Sequence, residues 1–592
     1  MVHDGQLISQ YPALYAFIAI PFYALIGYQG LFLLNAIAFC GSVGLCYLTA
    51  NRIFEDKALS LNASLVFAFA SYAWGYAQAT WPHALSGLAV LAAVYLTLRS
   101  FQATAKRQSI GWAAAAGLIA GLGIGVRIDT VFVFPAIMFV LLFANPVRRA
   151  PAAAVILGAA PPLAVVAVIN QAKFGIASPF SYGSVSANWS SGSPLGYLPL
   201  VALALAAAAV LWPLSRPAGR AFYAAHRWKV SGAVIVTAGA MLAVPEVRAL
   251  LAQLANGLYK LVIDFRIRDL GIKEGGLFRG PGGSMIYIGG LKKTLLQSCP
   301  YIAALCIPIW ALLRGRKNAF MLAALLLVPA TFVGVYARFA WHGGSSLNMR
   351  YFVPILPFAA ILAAYAWRDL AGRVVDSGIG IRIGAALAAL LTGGWIWLRF
   401  FTALSLPQEE MLMLTLPLVI AAIVLGLSVA HLAVAGPTRI TIARAAQASL
   451  LVAFAWSALV TFTYDAPRAL AKRATDARVA RQVRPLMAPG AVVVTDRRAR
   501  FASLYASGDF RVAATNLDSF ASLRPVVKWS FGAGRPVYAW FTQPTWQFLR
   551  SRGYFKSIRV KPLAIVTESI FAELLPVTPG TANRQGRPAA TK

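Results

Sequence analysis

Long apolar runs recur along most of the chain and constrain its fold more than any other feature. They measure about 15–25 residues and are separated by short connections that contain basic residues, glycine or proline. Runs of this length match bilayer-spanning helices, because barrel strands alternate polar and apolar residues in shorter segments. Hydrophobic residues make up 59% of the 592-residue chain and charged residues only 12%, which excludes a soluble globular protein. The pattern predicts a polytopic α-helical membrane protein with about 12–14 transmembrane helices.

The first hydrophobic segment, over residues 11–27, differs from the others because Pro12 and Pro21 interrupt it and aromatic residues are frequent. These features favour a segment that lies in the membrane interface or re-enters it. The remaining apolar runs predict spans at 28–50, 58–80, 84–98, 110–126, 130–144, 151–170, 195–214, 230–245, 298–313, 319–337, 351–367, 380–398, 411–435 and 445–463.

Basic residues are concentrated in alternate short connections between the apolar runs, as in Arg148 and Arg149 or Arg314 and Arg316. The positive-inside rule assigns these connections to the cytoplasm and the others to the outside. The formal net charge of +34 therefore reflects topology and attraction to anionic membrane lipids. No Lys/Arg tract with interleaved aromatic residues lies in a soluble segment, so nucleic acid is not expected as a partner. We expect an inner (plasma) membrane location.

Hydrophobicity falls after residue 464, where short β runs alternate with helical ones. The β runs lie at 491–495, 510–514, 537–541 and 558–566, and the helical runs at 523–531 and 545–551. The alternation predicts a small extracytoplasmic α/β domain over 465–578, after a transmembrane domain over 1–464. Within the transmembrane domain, the long outer loop 245–300 combines an amphipathic stretch with glycine clusters and is expected to act as a lid. The polar tail 579–592 is expected to be disordered.

A polar island from Arg338 to Pro354 lies between two apolar runs. It places two arginines, a histidine, two glycines and an asparagine at the mouth of membrane helices on the predicted outer side. Charged groups at such positions are costly to remove from water and are usually functional. The island therefore predicts chemistry on an anion, whereas the alternative is a short loop whose arginines extend to the interface.

Four motifs resemble, in their order along the chain, the polytopic glycosyltransferases of the GT-C fold, and among these the branch of aminoarabinose transferases and protein O-mannosyltransferases. The motifs are Ser9–Pro21 with Asn35 in the following helix, Gly121–Asp129, Asn170–Gly175 and Asn348–Pro357. The resemblance covers roughly the membrane region. It implies a hexosyl- or pentosyltransferase that moves a sugar from a polyprenyl-phosphate-linked donor to a lipid, glycan or protein acceptor on the extracytoplasmic face.

The implied reaction needs cationic side chains, because the lipid phosphate leaves with growing negative charge. Arg350, with its neighbour Tyr351, is the first candidate for donor-phosphate binding, followed by Arg338, Lys173 and Arg127. The alternative for Arg350 and Tyr351 is that they anchor a helix end in the interface.

Three further residues are candidates for contacts near the substrate. Asp129 follows Arg127 by two residues in a connection too short for a solvated loop, and it is expected to orient Arg127. The alternative for this pair is a structural ion pair or a helix cap. Trp341 and His342 are candidates for stacking on a sugar ring, although an interfacial belt also explains Trp341.

Proton removal is expected to fall to a carboxylate, which the resemblance places in the first outer loop. Asp4 is the candidate in this chain. The family's acidic residue usually lies further upstream, so the alternative is that it precedes Met1 together with a first helix. Either the chain starts at Met1 and inserts with its N-terminus outside, or its true start lies upstream, where the DNA would encode that helix.

His83 stands in the turn Thr80–Ala84, where the resemblance often places a second acidic residue. His83 is expected to contact a phosphate or the acceptor, or to help bind a metal ion, although a lone histidine at a helix mouth is more often a satisfied polar residue. Because no carboxylate lies beside His83, we expect no tightly bound metal ion and no other cofactor. A weak requirement for a divalent ion is the open alternative.

Two alternatives from other functional classes compete with the transferase. A transporter or flippase of a lipid-linked saccharide would use the same arginine-lined cavity without a catalytic carboxylate. An inactive membrane scaffold would use the C-terminal domain to bind a partner. Transporters often consist of two pseudo-equivalent halves, and the sequence shows no such repeat, which favours the transferase.

Overall fold

A computed structural model shows a mainly helical chain up to residue 486, followed by a five-stranded sheet with helices. The structure describes residues 2–3, 6–7, 11–143, 147–180, a few between 221 and 232, 245–263, 277–279, 285–287, 292–339, 347–372, 377–402, 404–495, 511–514, 523–551, 553–555, 557–566 and 569–576.

The elements are numbered here in chain order. The α-helices are α1 (Leu14–Ile26), α2 (Gln29–Phe54), α3 (Lys57–Phe69), α4 (Ala73–Ala77), α5 (His83–Gln102), α6 (Lys106–Val126), α7 (Phe134–Leu142), α8 (Arg149–Phe174), α9 (Pro245–Leu258), α10 (Leu295–Ser298), α11 (Cys306–Leu313), α12 (Ala319–Phe339), α13 (Leu356–Ala371), α14 (Ser377–Phe401), α15 (Leu406–Ala433), α16 (Thr438–Val460), α17 (Ala466–Val483), α18 (Leu523–Gly532) and α19 (Gln543–Ser551). Short 3-10 segments are Ile128–Val133, Pro300–Leu305, Arg350–Ile355 and Arg484–Leu486, and π-helical turns are Tyr259–Ile263 and Thr461–Asp465. The strands are β1 (Val2–His3), β2 (Gln6–Leu7), β3 (Leu277–Arg279), β4 (Met285–Tyr287), β5 (Val492–Thr495), β6 (Arg511–Ala514), β7 (Val537–Thr542), β8 (Ile558–Val566) and β9 (Ser569–Pro576).

Nine helical segments in the described part of the chain are long and apolar enough to cross a membrane, and four shorter apolar helices accompany them. The predicted class of a multi-pass α-helical membrane protein is therefore confirmed. The apolar run 58–80 forms two elements rather than one span, because α3 ends at Phe69 and the five-residue α4 follows a turn. At that turn the buried Tyr72 donates a hydrogen bond from its hydroxyl to the Met349 carbonyl, over 3.0 Å. The predicted spans 195–214 and 230–245 lie almost entirely outside the described residues.

Helix α13 occupies the centre of the bundle. Every residue from Leu356 to Ala366 is buried. The apolar window of this segment is 83% buried inside the protein, against 17% for α14. A helix that is apolar on all sides requires such a central place. The 3-10 segment Arg350–Ile355 leads directly into α13, so the end of the polar island is held at one end of the bundle.

Helices α6 and α8 pack closely because each carries a glycine at their crossing. A Cβ atom on Gly117 would collide with the backbone of Val155, and one on Gly158 would collide with the backbone of Ala114. Small residues at a helix crossing let the backbones approach, and such close packing drives helix association in lipid.

The C-terminal region forms the α/β fold that the sequence predicts. Its sheet has the order β6-β5-β7-β9-β8, in which β5 is parallel to β6 and β7, and β9 is antiparallel to its two neighbours. Strand β5 is buried along its length, as a strand covered on both faces should be. The four predicted β runs and two helical runs are present, and β9 is an additional strand. The predicted disordered tail lies outside the described residues.

Gly117→Ala is expected to destabilise the bundle, because the added methyl group has no space between α6 and α8. Overpacking of this kind costs about 1–3 kcal/mol. Gly111→Ala is the matched control on the same helix, because a Cβ there meets no atom within 4 Å. Thermal unfolding of the detergent-solubilised variants measures the difference. Equal midpoints for the two variants would contradict the close crossing.

Candidate functional site

Five chain segments meet at the end of the bundle where α13 begins, and most of their contacts are between side chains far apart in sequence. They are residues 72–83, 127–129, 292–298, 347–351 and 461–465. Residues 347–351, at the end of the polar island, lie in the middle of this group.

A buried ion pair ties two of the segments together. Lys293 Nζ lies 2.6 Å from both carboxylate oxygens of Asp465, and Lys293 is only 1% exposed. Asn348 joins the pair, because its Nδ2 donates to Asp465 Oδ2 over 3.1 Å and its Oδ1 accepts from Ser298 Oγ over 2.8 Å. Loss of either charged partner would leave a buried charge uncompensated. The pair therefore holds Asn348, near the end of the island, against the segment that follows the last membrane helix.

Two buried tyrosines hold the backbone of the island. The Tyr76 hydroxyl donates to the Asn348 carbonyl over 3.1 Å. The Tyr72 hydroxyl donates to the Met349 carbonyl over 3.0 Å. Arg350 directly follows Asn348 and Met349 in the chain. The two hydrogen bonds therefore fix the backbone from which the Arg350 side chain enters the site.

Two guanidinium groups lie over the ring of Tyr351. The Cζ atom of Arg127 is 4.8 Å from the ring centroid and that of Arg350 is 5.3 Å from it. Arg350 also lies over the ring of Trp81, at 4.8 Å. These aromatic faces attract and orient the cations. The buried Nε of Arg350 has no hydrogen-bond partner among the described residues, which leaves this donor available to a ligand.

Asp129 fixes the orientation of Arg127. Arg127 Nε donates to Asp129 Oδ1 over 3.0 Å, and Nη2 donates to Oδ2 over 2.7 Å. The Tyr336 hydroxyl donates to the same Oδ2 over 2.9 Å. Both charged residues are buried. This bidentate geometry suits the planar guanidinium group. It orients Arg127 so that a face of the guanidinium lies over the ring of Tyr351.

His83 lies among aromatic rings at the first residue of α5. It is 3% exposed, and its ring centroid is 5.6 Å from that of Tyr76 and 5.9 Å from those of Trp81 and Tyr351. Neither of its buried ring nitrogens has a hydrogen-bond partner among the residues that the structure describes. A buried polar group in this state costs free energy unless a ligand satisfies it.

Lys292 brings another amine to the site. It is buried, and its Nζ lies 3.4 Å from the Asn348 carbonyl oxygen. Burial lowers the pKa of Lys292 well below the usual lysine range, and the positive charge of Arg350 lowers it further. A bound anion would favour the charged form of this amine.

We call Arg127, Lys292 and Arg350 the cation cluster. Within this cluster, Arg127 forms an ion pair with Asp129. Coulomb interactions are stronger at such a buried place than in water. The arrangement suits a compact anion with several acceptor oxygens, such as a phosphate group.

The structure brings together five of the residues that the sequence predicts for the site, namely Arg350, Tyr351, Arg127, Asp129 and His83.

Two other candidates have different surroundings. Lys173 donates to the Tyr11 carbonyl over 2.8 Å and lies over the ring of Phe174. Arg338 lies in the last turn of α12, two residues after Tyr336. Asp4, Trp341 and His342 lie outside the described residues, so their predicted roles stay predictions.

Sequence reasoning missed Lys292, Lys293 and Asp465. The two lysines stand directly before an apolar run, and a basic pair in that place is the signal that could have identified them. Asp465 marks the point where hydrophobicity falls, and it was therefore predicted only as the start of the next domain. No group of three His, Cys, Asp or Glu side chains that could hold a metal ion occurs among the described residues. Metal independence stays a prediction.

Residues 32–149 match the family model described as the N-terminal domain of the protein O-mannosyl-transferase TMEM260. This stretch includes His83, Arg127 and Asp129. The match confirms, for this part of the chain, the resemblance to the protein O-mannosyltransferase branch. No curated protein sequence matches the chain.

Similar solved structures extend over nearly the whole chain at low sequence identity. ArnT from Cupriavidus metallidurans in the apo state has a TM-score of 0.48 and 14% identity, and the match covers 97% of this chain and 89% of that chain. ArnT from the same organism bound to undecaprenyl phosphate has a TM-score of 0.46 and 12% identity, with the same coverage. The oligosaccharyltransferase AglB from Archaeoglobus fulgidus, in complex with an inhibitory peptide and a dolichol-phosphate, has a TM-score of 0.40 and 14% identity, with 92% of this chain and 62% of that chain covered.

Asp465→Ala is expected to lower the free energy of unfolding by about 3–5 kcal/mol, because it leaves the buried Lys293 amine without its counter-charge. The double variant Lys293→Met with Asp465→Leu removes both charges and should lose less. Thermal unfolding of the detergent-solubilised variants compares the two. A double variant that is less stable than Asp465→Ala would contradict the buried ion pair.

Proposed function

We propose that this protein is a membrane glycosyltransferase that moves a sugar from a polyprenyl-phosphate-linked donor to a lipid, glycan or protein acceptor. The observation that carries the proposal is the cation cluster, which lies at one end of an apolar helical bundle. The match of residues 32–149 to a protein O-mannosyl-transferase model supports the same reaction class. The sugar is a hexose or a pentose. The reaction takes place on the extracytoplasmic face, since basic connections assign the other face to the cytoplasm.

The cluster would act on the leaving group. As the bond between the anomeric carbon and the phosphate oxygen breaks, its electron pair stays on the phosphate, and negative charge grows there. Cationic donors that are already in position stabilise this charge without reorganising. Arg350 is held by Trp81 and Tyr351, and Arg127 by Asp129. The aromatic and carboxylate contacts thus supply the preorganisation.

The ion pair of Lys293 and Asp465 would support the cluster indirectly. It fixes Asn348, two residues before Arg350, and places Lys292 next to the island. Because the pair joins the island to the end of the last membrane helix, movement of either segment would displace the cationic groups.

Arg350→Ala is expected to lower the transfer rate by about 10²–10³-fold, the usual effect of removing one preorganised donor. It should also weaken binding of undecaprenyl phosphate, which serves as the probe of the phosphate site. Arg314→Ala is the matched control, because Arg314 also lies over a tryptophan, Trp310, at 4.6 Å. Arg314 follows α11 at the opposite end of the bundle, so this variant should behave like the wild type.

Transfer is measured with the protein in nanodiscs, an undecaprenyl-phosphate-linked radiolabelled sugar as donor and a membrane extract as the acceptor mixture. An Arg350→Ala variant with wild-type rate and wild-type affinity would exclude Arg350 from the phosphate site. Wild-type protein that carries the labelled lipid across a bilayer without forming a new glycosidic bond would favour a flippase instead.

Binding of undecaprenyl phosphate is expected to weaken as the pH rises. Burial lowers the pKa of Lys292, so the free protein loses this proton at a lower pH than an ordinary lysine would. A bound phosphate favours the protonated amine, so binding takes up a proton and is strongest below the lowered pKa. Lys292→Arg should bind with a flatter pH dependence, because arginine stays charged. The dissociation constant measured across the neutral and alkaline range tests this, and the same slope in Lys292→Met would contradict it.

A further inference from the structure

The proposed transfer needs a group that accepts the proton of the acceptor hydroxyl. Four side chains in the described part of the site have suitable chemistry, namely Asp129, Asp465, Lys292 and His83. Lys292 acts in the proposed function as a cation that binds the phosphate, so it is charged when the donor is bound. Asp129 is already engaged, since its oxygens accept hydrogen bonds from Arg127 and Tyr336. A proton on Asp129 would remove the counter-charge of a buried guanidinium, which is strongly unfavourable.

Asp465 is engaged in the same way. Both of its oxygens lie 2.6 Å from Lys293 Nζ, and Oδ2 also accepts from Asn348. Protonation would again remove the counter-charge of a buried cation. It would also release Asn348 from its place before Arg350. Both carboxylates therefore hold cations in position rather than exchange protons.

His83 is different, because its two ring nitrogens have no partner among the described residues. A neutral imidazole offers one lone pair to a proton, and one N–H to a hydrogen-bond acceptor. The ring is 3% exposed and lies in contact distance of Trp81, which is 39% exposed. An acceptor that approaches along Trp81 would reach His83 and the cation cluster together.

We infer that His83 is the proton acceptor of the transfer, an inference that rests on the proposed function. The acceptor oxygen forms a bond to the anomeric carbon while its proton passes to a ring nitrogen of His83. The bond from the anomeric carbon to the phosphate oxygen breaks, and its electron pair stays on the phosphate. The imidazolium then returns its proton to water before the next cycle.

Burial and the nearby positive charges oppose a proton on the His83 ring, so the step depends on the leaving phosphate to compensate that charge. The charged groups that face it are Arg127 and Arg350, and the titratable groups in ring contact are Tyr76 and Tyr351. The same two arginines belong to the cation cluster, so the phosphate that leaves lies next to the imidazole that gains a proton. A positive and a negative charge thus form side by side, which stabilises the transition state.

His83→Gln tests the inference, because glutamine keeps a polar side chain without a proton-accepting nitrogen. The initial transfer rate at saturating donor should fall by about 10²–10⁴-fold. The dissociation constant for undecaprenyl phosphate should stay within about threefold of wild type, which shows an intact phosphate site.

His431→Gln is the matched control. His431 is also fully buried, and its ring nitrogens have no hydrogen-bond partner in the described part of the chain. It lies near the end of α15, away from the site, so this variant should keep the wild-type rate.

Three results would overturn the inference. The first is a wild-type rate for His83→Gln, most clearly if Asp4→Asn loses the activity instead. The second is a His83→Gln variant that loses rate and undecaprenyl-phosphate affinity in parallel, because His83 would then bind the donor or support the fold. The third is wild-type protein that forms no glycosidic bond, which refutes the proposed function itself and the inference with it.

Discussion

The buried ion pair between Lys293 and Asp465 is the interaction on which the candidate site depends. Its members are 172 residues apart, and together with Asn348 they join the segment before α10, the polar island and the last membrane helix. Two charges in an apolar bundle are stable only when they neutralise each other at short range, so each partner has one permitted position. This requirement fixes Asn348, two residues before Arg350.

The central helix α13 sets where the end of the island lies. Because α13 is buried on all sides, packing from every direction fixes where the helix starts. Residues 348–351 lie directly before it in the chain, so their position is fixed as well. The cationic groups then gather at the end of an apolar bundle, where water screens them less than at a free surface. Arginine suits the place better than lysine for two of the three positions, because its planar group stacks on Tyr351 and Trp81 while it keeps N–H donors.

Much of the fold is readable from the sequence, and part of the site is too. The helices follow the apolar runs, and the C-terminal strands follow the β-branched runs, because both patterns are local. Arg350, Arg127 and His83 were predicted from their places at helix mouths on one side of the membrane. Lys293 and Asp465 were not, since a lysine in a long loop and an aspartate after the last span carry no local sign that they meet. The split of the run 58–80 was also missed, and the hydrogen bond of Tyr72 at that turn is with Met349, 277 residues away, which no local pattern indicates.

The sequence by itself determined that the chain is a multi-pass membrane protein with a small α/β domain, and it determined which polar residues lie at helix ends. It could do so because transfer of a helix into lipid depends on the composition of about 20 consecutive residues. The tertiary structure decided which of these polar groups meet, which carboxylates are bound to cations, and that the imidazole of His83 is left without a partner among the described residues. Those outcomes depend on how distant helices pack, and the packing follows from shape and charge summed over the whole bundle rather than from any one stretch of the chain.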